Sequence, residues 1–287
     1  MPWWQSKQVA IKFDYMNIEI IAGLVPLVFW GVNALFEKKS VTLAGVLGLI
    51  PAVIAGDLPN FDLKFFIFVS IFAFFDFLGM YLFYKGFLVS KVGIITPISS
   101  SYAIVIAIIS FVFFDEPLSL TKFALIVLIV LGIVLLSINL KEWKTAKKSD
   151  YVGVLYALAI FTIYGVWVPL WDQFIAQGGY LYILTVDRVI VLLLVLGVVA
   201  YKKTDLKIGK PAFGWVFLSA VFLVVANTVY NWGLYNSDET SLVAAISSAY
   251  PLVAVICAYF FLKEKLAANQ YVGIVVIVIG IVLISLL

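Results

Sequence analysis

Histidine is absent from this 287-residue chain, and cysteine occurs once, at Cys257. The lack of histidine excludes imidazole metal ligands, histidine proton relays and the H-E-x-x-H motif of zinc hydrolases. A single cysteine excludes an intramolecular disulfide. The chain also has no G-x-x-x-x-G-K-[ST] phosphate-binding loop, so ATP-driven transport by this chain is not expected. We predict a protein that is not an enzyme, with no catalytic residues, no metal site and no cofactor.

Charged residues are scarce as well. They make up 12% of the chain and hydrophobic residues 64%, whereas soluble domains average about 25% charged and about 45–50% apolar residues. This composition indicates that the solvent of the protein is a lipid bilayer. The net charge of +3 is too small to indicate nucleic acid. The predicted partners of the protein are the lipid bilayer, a small-molecule substrate and protons. We also predict that the protein is a monomer.

Ten apolar runs approach the length of about 20 residues that a membrane-spanning helix needs. These predicted spans, numbered 1 to 10, lie at roughly 17–38, 40–56, 63–84, 92–114, 119–140, 151–171, 180–201, 211–235, 240–262 and 267–287. Span 2 is short and contains Pro51. Because backbone in lipid must satisfy its hydrogen bonds internally, we predict that each span is a helix.

The basic residues are unevenly distributed between the two predicted membrane surfaces. Fourteen lysines fall on the side of the loops that follow spans 1, 3, 5, 7 and 9, four fall on the opposite side, and Arg188 lies within span 7. Basic loops stay in the cytoplasm. The distribution therefore predicts a multi-pass protein of the cytoplasmic membrane with both termini outside the cell.

The chain contains an internal repeat. Residues 96–137 align without gaps with residues 244–285, and 18 of the 42 positions are identical. The pairs Ser99/Ser247, Ser100/Ser248, Tyr102/Tyr250, Glu116/Glu264, Gly132/Gly280 and Ser137/Ser285 fix the register. We predict an N-terminal extension (1–16), a first five-span repeat (17–140), a basic linker (141–150) and a second five-span repeat (151–287). Five is odd, so the second repeat would cross the membrane in the opposite direction, as in many secondary transporters.

Several short motifs resemble the EamA branch of the drug/metabolite transporter superfamily. They are W-G-V-N at 30–33, P-I-S-S-S-Y at 97–102 and F-D-E-P-L at 114–118, with I-S-S-A-Y and L-K-E-K-L in the second half. The resemblance covers about residues 17–287. It implies an all-α integral membrane protein whose ten transmembrane helices form two inverted five-helix repeats, with a central cavity lined by spans 1, 3, 4, 6, 8 and 9. The chain departs from the family in its very short loop between spans 1 and 2, and many relatives place their termini in the cytoplasm.

Polar and aromatic residues within the spans are the candidates for contact with a substrate. Ser99, Ser100 and Tyr102 are expected to form one wall of a site, and Ser247, Ser248 and Tyr250 the other. The alternative is structural, because serine permits close helix packing and its hydroxyl can bond back to its own helix. The remaining substrate-binding candidates are Trp30, Asn33, Asp76, Trp167, Asn227, Tyr230 and Asn231.

Asp76 and Arg188 are the candidate coupling residues, because an ionisable residue inside a membrane span marks a functional site by default. Asp76 lies near the middle of span 3 and is a candidate proton carrier; the alternatives are a neutral structural aspartate or a partner for Arg188. Arg188 follows Asp187, and because neighbours on a helix point in different directions, each is expected to need a partner elsewhere. Arg188 would bind a carboxylate or phosphate in a cavity, or else belong to a structural ion pair or extend to the membrane surface. Glu116 and Glu264 are expected to cap helices at the membrane interface.

These residues predict a secondary transporter that moves a small neutral or zwitterionic organic metabolite, such as an amino acid, by alternating access. A carrier of sugar phosphates should have several deep cations, and this chain has one arginine in a span. Export follows from the resemblance, and proton coupling would follow from Asp76. The alternatives are a sugar or organic-phosphate permease of the same superfamily and a non-transporting intramembrane protein.

Overall fold

The computed structural model describes residues 18–33, 62–90, 92–138, 148–178, 180–201, 203, 210–261 and 266–287. Their helices are α1 (Ile18–Asn33), α2 (Leu63–Val89), α3 (Val92–Ser99), α4 (Tyr102–Phe114), α5 (Leu120–Ser137), α6 (Lys148–Gly178), α7 (Tyr180–Tyr201), α8 (Lys210–Asn236), α9 (Thr240–Ser248), α10 (Pro251–Phe261) and α11 (Ala268–Ile284). The N-terminal extension, span 2 and Glu264 lie outside the described residues.

Seven helical segments within the described ranges are long and apolar enough to cross a membrane. They are α2, α3 with α4, α5, α6, α7, α8 and α9 with α10, while α1 and α11 are apolar but shorter. Large side chains such as Phe111, Leu193 and Val272 are exposed on the outer surface. Such an apolar surface fits contact with lipid acyl chains rather than with water. The protein is therefore an all-helical, multi-pass membrane protein, and the count of ten spans stays a prediction.

Spans 4 and 9 are each interrupted by a short break at the repeated serine–tyrosine motif. At both breaks a backbone N–H donates to the carbonyl three residues earlier: Ser101 to Ile98 (3.3 Å) and Ala249 to Ile246 (3.2 Å). Pro251 has no N–H to continue the second helix, and in the first break the Ser101 hydroxyl donates to the Pro97 carbonyl at 2.6 Å. Two helices that looked continuous in the sequence are therefore discontinuous at equivalent positions.

The last helices of the two repeats, α5 and α11, pack closely and run antiparallel. A Cβ atom at Gly132 would lie 2.7 Å from Cγ1 of Ile277, and one at Gly280 would lie 2.6 Å from Cγ1 of Ile129. Ile129 and Ile277 are equivalent positions of the repeat, as are Gly132 and Gly280. The same contact therefore occurs twice with the roles exchanged, which is the pattern of a two-fold arrangement.

The other extensive helix contacts also form equivalent pairs. Helix α1 packs on α8 and α9, and α6 packs on α2 and α3. In the repeat, α1 corresponds to α6, α8 to α2 and α9 to α3, so each pairing has a counterpart. All four helix pairs join the first repeat to the second, and α7 of the second repeat also packs on α2 of the first.

Candidate functional site

Arg188 on α7 forms an ion-pair cluster with two aspartates, the neighbouring Asp187 and Asp76 near the middle of α2. Its Nε and Nη2 atoms lie 2.9 Å and 2.7 Å from Asp187 Oδ2, and Nη2 also pairs with Asp76 Oδ2 on α2. The Asp187 side chain is fully buried, whereas those of Asp76 and Arg188 are 16% and 20% exposed. One guanidinium therefore faces two carboxylates, and the cluster has no excess of positive charge.

The expectation that Asp187 and Arg188 each need a partner elsewhere was wrong for Asp187. The flexible arginine side chain folds back onto the neighbouring carboxylate while its terminal nitrogen reaches Asp76. Helix geometry separates the Cβ directions of adjacent residues, but an arginine is long enough to overcome that separation. Asp76 is thus the partner of Arg188, one of the alternatives that the sequence left open.

Aromatic side chains from two helices, α4 and α6, lie beside this cluster. The ring of Tyr164 on α6 packs against Gly79, one turn after Asp76 on α2. Its centroid lies 5.9 Å from that of Tyr102 and 6.3 Å from that of Trp167. Trp167 in turn stacks on Trp171, with centroids 5.1 Å apart and planes inclined by 12°. The structure thus brings Tyr102 and Trp167, which were predicted site residues, into one layer with Asp76 and Arg188.

Hydrogen bonds hold the tryptophan pair in place. Trp167 Nε1 donates to the carbonyl of Phe72 at 3.0 Å, and the buried Trp171 Nε1 donates to Asn231 Oδ1 at 2.5 Å. The Asn231 amide group donates to the Asn227 carbonyl on its own helix. The Asn227 amide donates to the Leu223 carbonyl, so its donor is directed along α8. Asn231 thus joins the layer directly, and Tyr230 is buried beside it on α8.

The serines of the repeated motif are directed mainly to their own helices. Ser99 donates to the carbonyl of Ile95, Ser247 to that of Ala244 and Ser248 to that of Ala245, at 2.9–3.1 Å. Ser100 differs, because its hydroxyl lies 3.4 Å from the Tyr250 hydroxyl of the other repeat. The structural alternative thus describes Ser99 and Ser248. Two hydrogen-bonded pairs join the repeats here, Ser100 with Tyr250 and Ser247 with Tyr102.

The structure does not describe the side chains of two predicted site residues. Trp30 and Asn33 lie in the last turn of α1, but their side chains are outside what the structure describes. Within the described ranges, no group of three acidic or cysteine side chains is arranged to hold a metal ion.

A second polar cluster lies at one end of the bundle, where the first repeat meets the start of α9. Asp115 adopts a left-handed backbone conformation (φ 53°), which turns the chain after α4 and directs Glu116 inward. The Glu116 carboxylate accepts hydrogen bonds from the Ser241 N–H at 3.0 Å and 3.2 Å and from the Ser241 hydroxyl. Burial raises the pKa of Glu116 to about 7, although the bonds from Ser241 act in the opposite direction. Glu116 is a helix cap, but of α9 in the second repeat rather than of the adjacent α5.

The sequence interpretation missed several members of these clusters. Trp171 and Asp172 form a W-D pair at the end of span 6, and Asp172 accepts a hydrogen bond from the Thr240 hydroxyl at the start of α9. An aspartate in an apolar helix is a signal of the kind that identified Asp76. Tyr164 precedes a Gly-Val pair as Trp30 does, but it was not among the predicted site residues. Ser241 and Thr240 carried no signal, because two hydroxyl residues at a helix start are common.

Comparison with known proteins places this geometry in context. The model of the EamA-like transporter family matches residues 17–138 and 151–286. An uncharacterized transporter of Archaeoglobus fulgidus is 24% identical over 290 aligned positions, covering 94% of this chain and 98% of that protein. An uncharacterized protein of Methanocaldococcus jannaschii is 27% identical over 134 residues, covering 47% of this chain and 96% of that protein. A crystal structure that is 14% identical has the same fold, with a TM-score of 0.78 over 94% of this chain and 98% of the other.

Proposed function

The chain belongs to the EamA-like transporter family, and on that premise we propose that it is a secondary transporter of a small neutral or zwitterionic organic solute, working by alternating access. The observation that carries the substrate class is the charge balance at Arg188. Its guanidinium is the only cation in the described central layer, and it is paired with both Asp76 and Asp187.

A zwitterion matches this cluster better than an organic phosphate does. A substrate carboxylate would bind Arg188 and a substrate ammonium group would bind Asp76, so the two opposite charges of an amino acid replace part of the existing ion pair. A phosphate would add up to two negative charges to a cluster that already holds two carboxylates. The rings of Tyr102, Tyr164 and Trp167 provide flat apolar faces for the rest of the solute.

The proposed mechanism rests on two five-helix repeats, 17–140 and 151–287, in opposite orientation. The antiparallel α5–α11 contact, with Gly132 and Gly280 in exchanged roles, supports this arrangement. Two similar halves related by a two-fold axis in the membrane plane give two states of similar energy, each open to one side. The helix breaks at Ser101 and Ala249 add discontinuous helices near the centre, where transporters of this plan bind their substrates.

Localisation, direction and coupling are part of the same proposal. The lysine distribution supports the cytoplasmic membrane with both termini outside the cell. We propose export of the solute against inward proton movement, with Asp76 exchanging its partner Arg188 for a proton during the cycle.

Counterflow in proteoliposomes tests the proposal. Vesicles preloaded with one unlabelled solute are assayed for uptake of the labelled solute, over a panel of amino acids, neutral sugars and sugar phosphates, with protein-free vesicles as control. We expect exchange of neutral or zwitterionic solutes. Exchange restricted to sugar phosphates would refute the substrate class, and flux without counterflow would refute alternating access.

A further inference from the structure

Three polar contacts converge on the first residues of α9 and their neighbour Glu239. The Glu116 carboxylate binds the Ser241 N–H and hydroxyl, Lys122 pairs with Glu239, and Asp172 Oδ2 accepts from the Thr240 hydroxyl at 2.7 Å. Glu116 and Lys122 belong to the first repeat and residues 239–241 to the second. We call these six residues the α9 latch, because they hold the two repeats together at one end of the bundle.

Helix α9 connects the α9 latch to the residues of the central site. All nine residues of α9 are buried, so the helix moves only together with what surrounds it. The helix runs from Thr240 to Ser248, and Tyr250 directly after the break touches Ser100 of the first repeat. A shift at the start of α9 would therefore be transmitted to Tyr250 and Ser100, which join the two repeats.

We propose that Glu116 is a proton-binding site, and that closing this end of the protein against α9 takes up one proton at its carboxyl group. This inference goes beyond the proposed transport reaction and does not depend on the identity of the solute. Glu116 takes its proton from, and returns it to, the compartment on its own side of the membrane. It therefore sets the pH at which this end opens, and it does not move protons across the membrane as proposed for Asp76.

The direction of the pH effect follows from the surroundings of Glu116. In the closed state the pKa of Glu116 is raised to about 7, because burial and, to a smaller extent, Asp172 of α6 raise it more than the hydrogen bonds from Ser241 on α9 and Ser110 on α4 lower it. Lys122 of α5 is engaged by Glu239. In an open state the exposed carboxyl would return to about 4.3. Protonation of Glu116 thus favours closure fully below about pH 4.3, and this contribution is lost as the pH rises to the closed-state pKa of about 7. Over that window the open-to-closed ratio changes on the order of 10²-fold.

Electron-spin distance measurements on the full chain in liposomes test this without any substrate. Spin labels are attached at Leu120→Cys and Asp238→Cys, two exposed positions on either side of the α9 latch, in a Cys257→Ser background. The distance distribution is recorded from pH 5 to pH 9. We expect a short distance at low pH and a longer one at high pH, with the change occurring below about pH 7 and levelling off above it.

Matched substitutions identify the responsible carboxyl. Glu116→Gln keeps the size of the side chain but cannot ionise, so its distance should stay short at every pH. Asp115→Asn changes the adjacent, exposed carboxyl in the same way and should keep the pH dependence of the unsubstituted pair. Ser241→Ala removes a hydroxyl donor that lowers the pKa of Glu116, so its midpoint should move to higher pH.

The distance measurements decide whether Glu116 controls the α9 latch. An unchanged distance across the pH range in the unsubstituted pair, or a full pH response in Glu116→Gln, would overturn the proposal. If Glu116→Gln does not reconstitute, the Ser241→Ala midpoint decides instead, and a midpoint that stays in place or moves to lower pH would overturn the proposal. Failure of the counterflow assay leaves these distances unaffected, so the two proposals stand or fall separately.

Discussion

Arg188→Gln is expected to destabilise the protein far more than a change at Asp76, its partner on α2. The substitution leaves two carboxylates, one of them fully buried, with no cation between them. Asp76→Asn leaves the Arg188–Asp187 pair intact and keeps an oxygen that accepts from the guanidinium. The asymmetry arises because the cluster holds two acids and one base.

The expected magnitude follows from the burial of the cluster. Removing one partner of a buried ion pair costs about 3–5 kcal/mol, and the partial exposure of Arg188 and Asp76 favours the lower value. For a chain of this size 1 kcal/mol corresponds to about 2–4 °C in Tm. We therefore expect Tm to fall by roughly 6–12 °C in Arg188→Gln, and by about 3 °C in Asp76→Asn, which weakens one hydrogen bond at a cost of about 1 kcal/mol.

The assay is thermal unfolding of the purified protein in detergent, followed by tryptophan fluorescence. The triple variant Asp76→Asn, Asp187→Asn, Arg188→Gln serves as a compensated control, because it replaces all three charges with neutral amides. It should recover most of the lost Tm. Equal Tm values for Arg188→Gln and Asp76→Asn, or a triple variant as unstable as Arg188→Gln, would refute the charge-balance reasoning.

Three further predictions concern transport and packing. Asp76→Asn should abolish acceleration of flux by a pH gradient while the protein still folds; persistence of that acceleration in vesicles would remove Asp76 as proton carrier. Tyr250→Ala should weaken solute binding, measured by isothermal titration with the solute found by counterflow, more than Ser248→Ala does, because the Ser248 hydroxyl bonds to its own helix; equal effects would contradict the role of Tyr250. Gly280→Ala places a Cβ atom 2.6 Å from Ile129 and should cost about 1–3 kcal/mol by overpacking, whereas Gly197→Ala, with open space around it, should be neutral or stabilising; similar Tm values for the two would argue against the close α5–α11 contact.

The helical segments and the family were accessible from the sequence because both depend on local or repeated patterns. An apolar run of about 20 residues has few alternatives to a helix in lipid. Ser99, Ser100 and Tyr102 recur at a spacing of 148 residues, and this recurrence identified the repeat and the resemblance. The family assignment is confirmed by the match over residues 17–138 and 151–286.

The breaks in spans 4 and 9 were less accessible. Hydropathy continues through Ser101 and Ala249, and a single turn with bonds to the third preceding residue does not change the composition. Pro97 and Pro251 were visible, but a proline in a membrane helix is tolerated without a full break. The hydrogen-bond partners of the serine hydroxyls depend on side-chain rotamers, which no sequence pattern encodes. Those partners decide whether the serines line a binding site or bond within their own bent helix.

By itself the sequence determined the solvent of the protein, its helical segments and its division into two related halves, because these follow from composition and from repetition along the chain. Only the tertiary structure decided which polar groups meet. It placed Arg188 between Asp76 and Asp187, and it set the Glu116 carboxylate on the first turn of a helix 125 residues away. Such pairs are chosen by the cost of leaving a charge or an N–H group unsatisfied where water is excluded, and that cost is set by neighbours in space rather than in sequence.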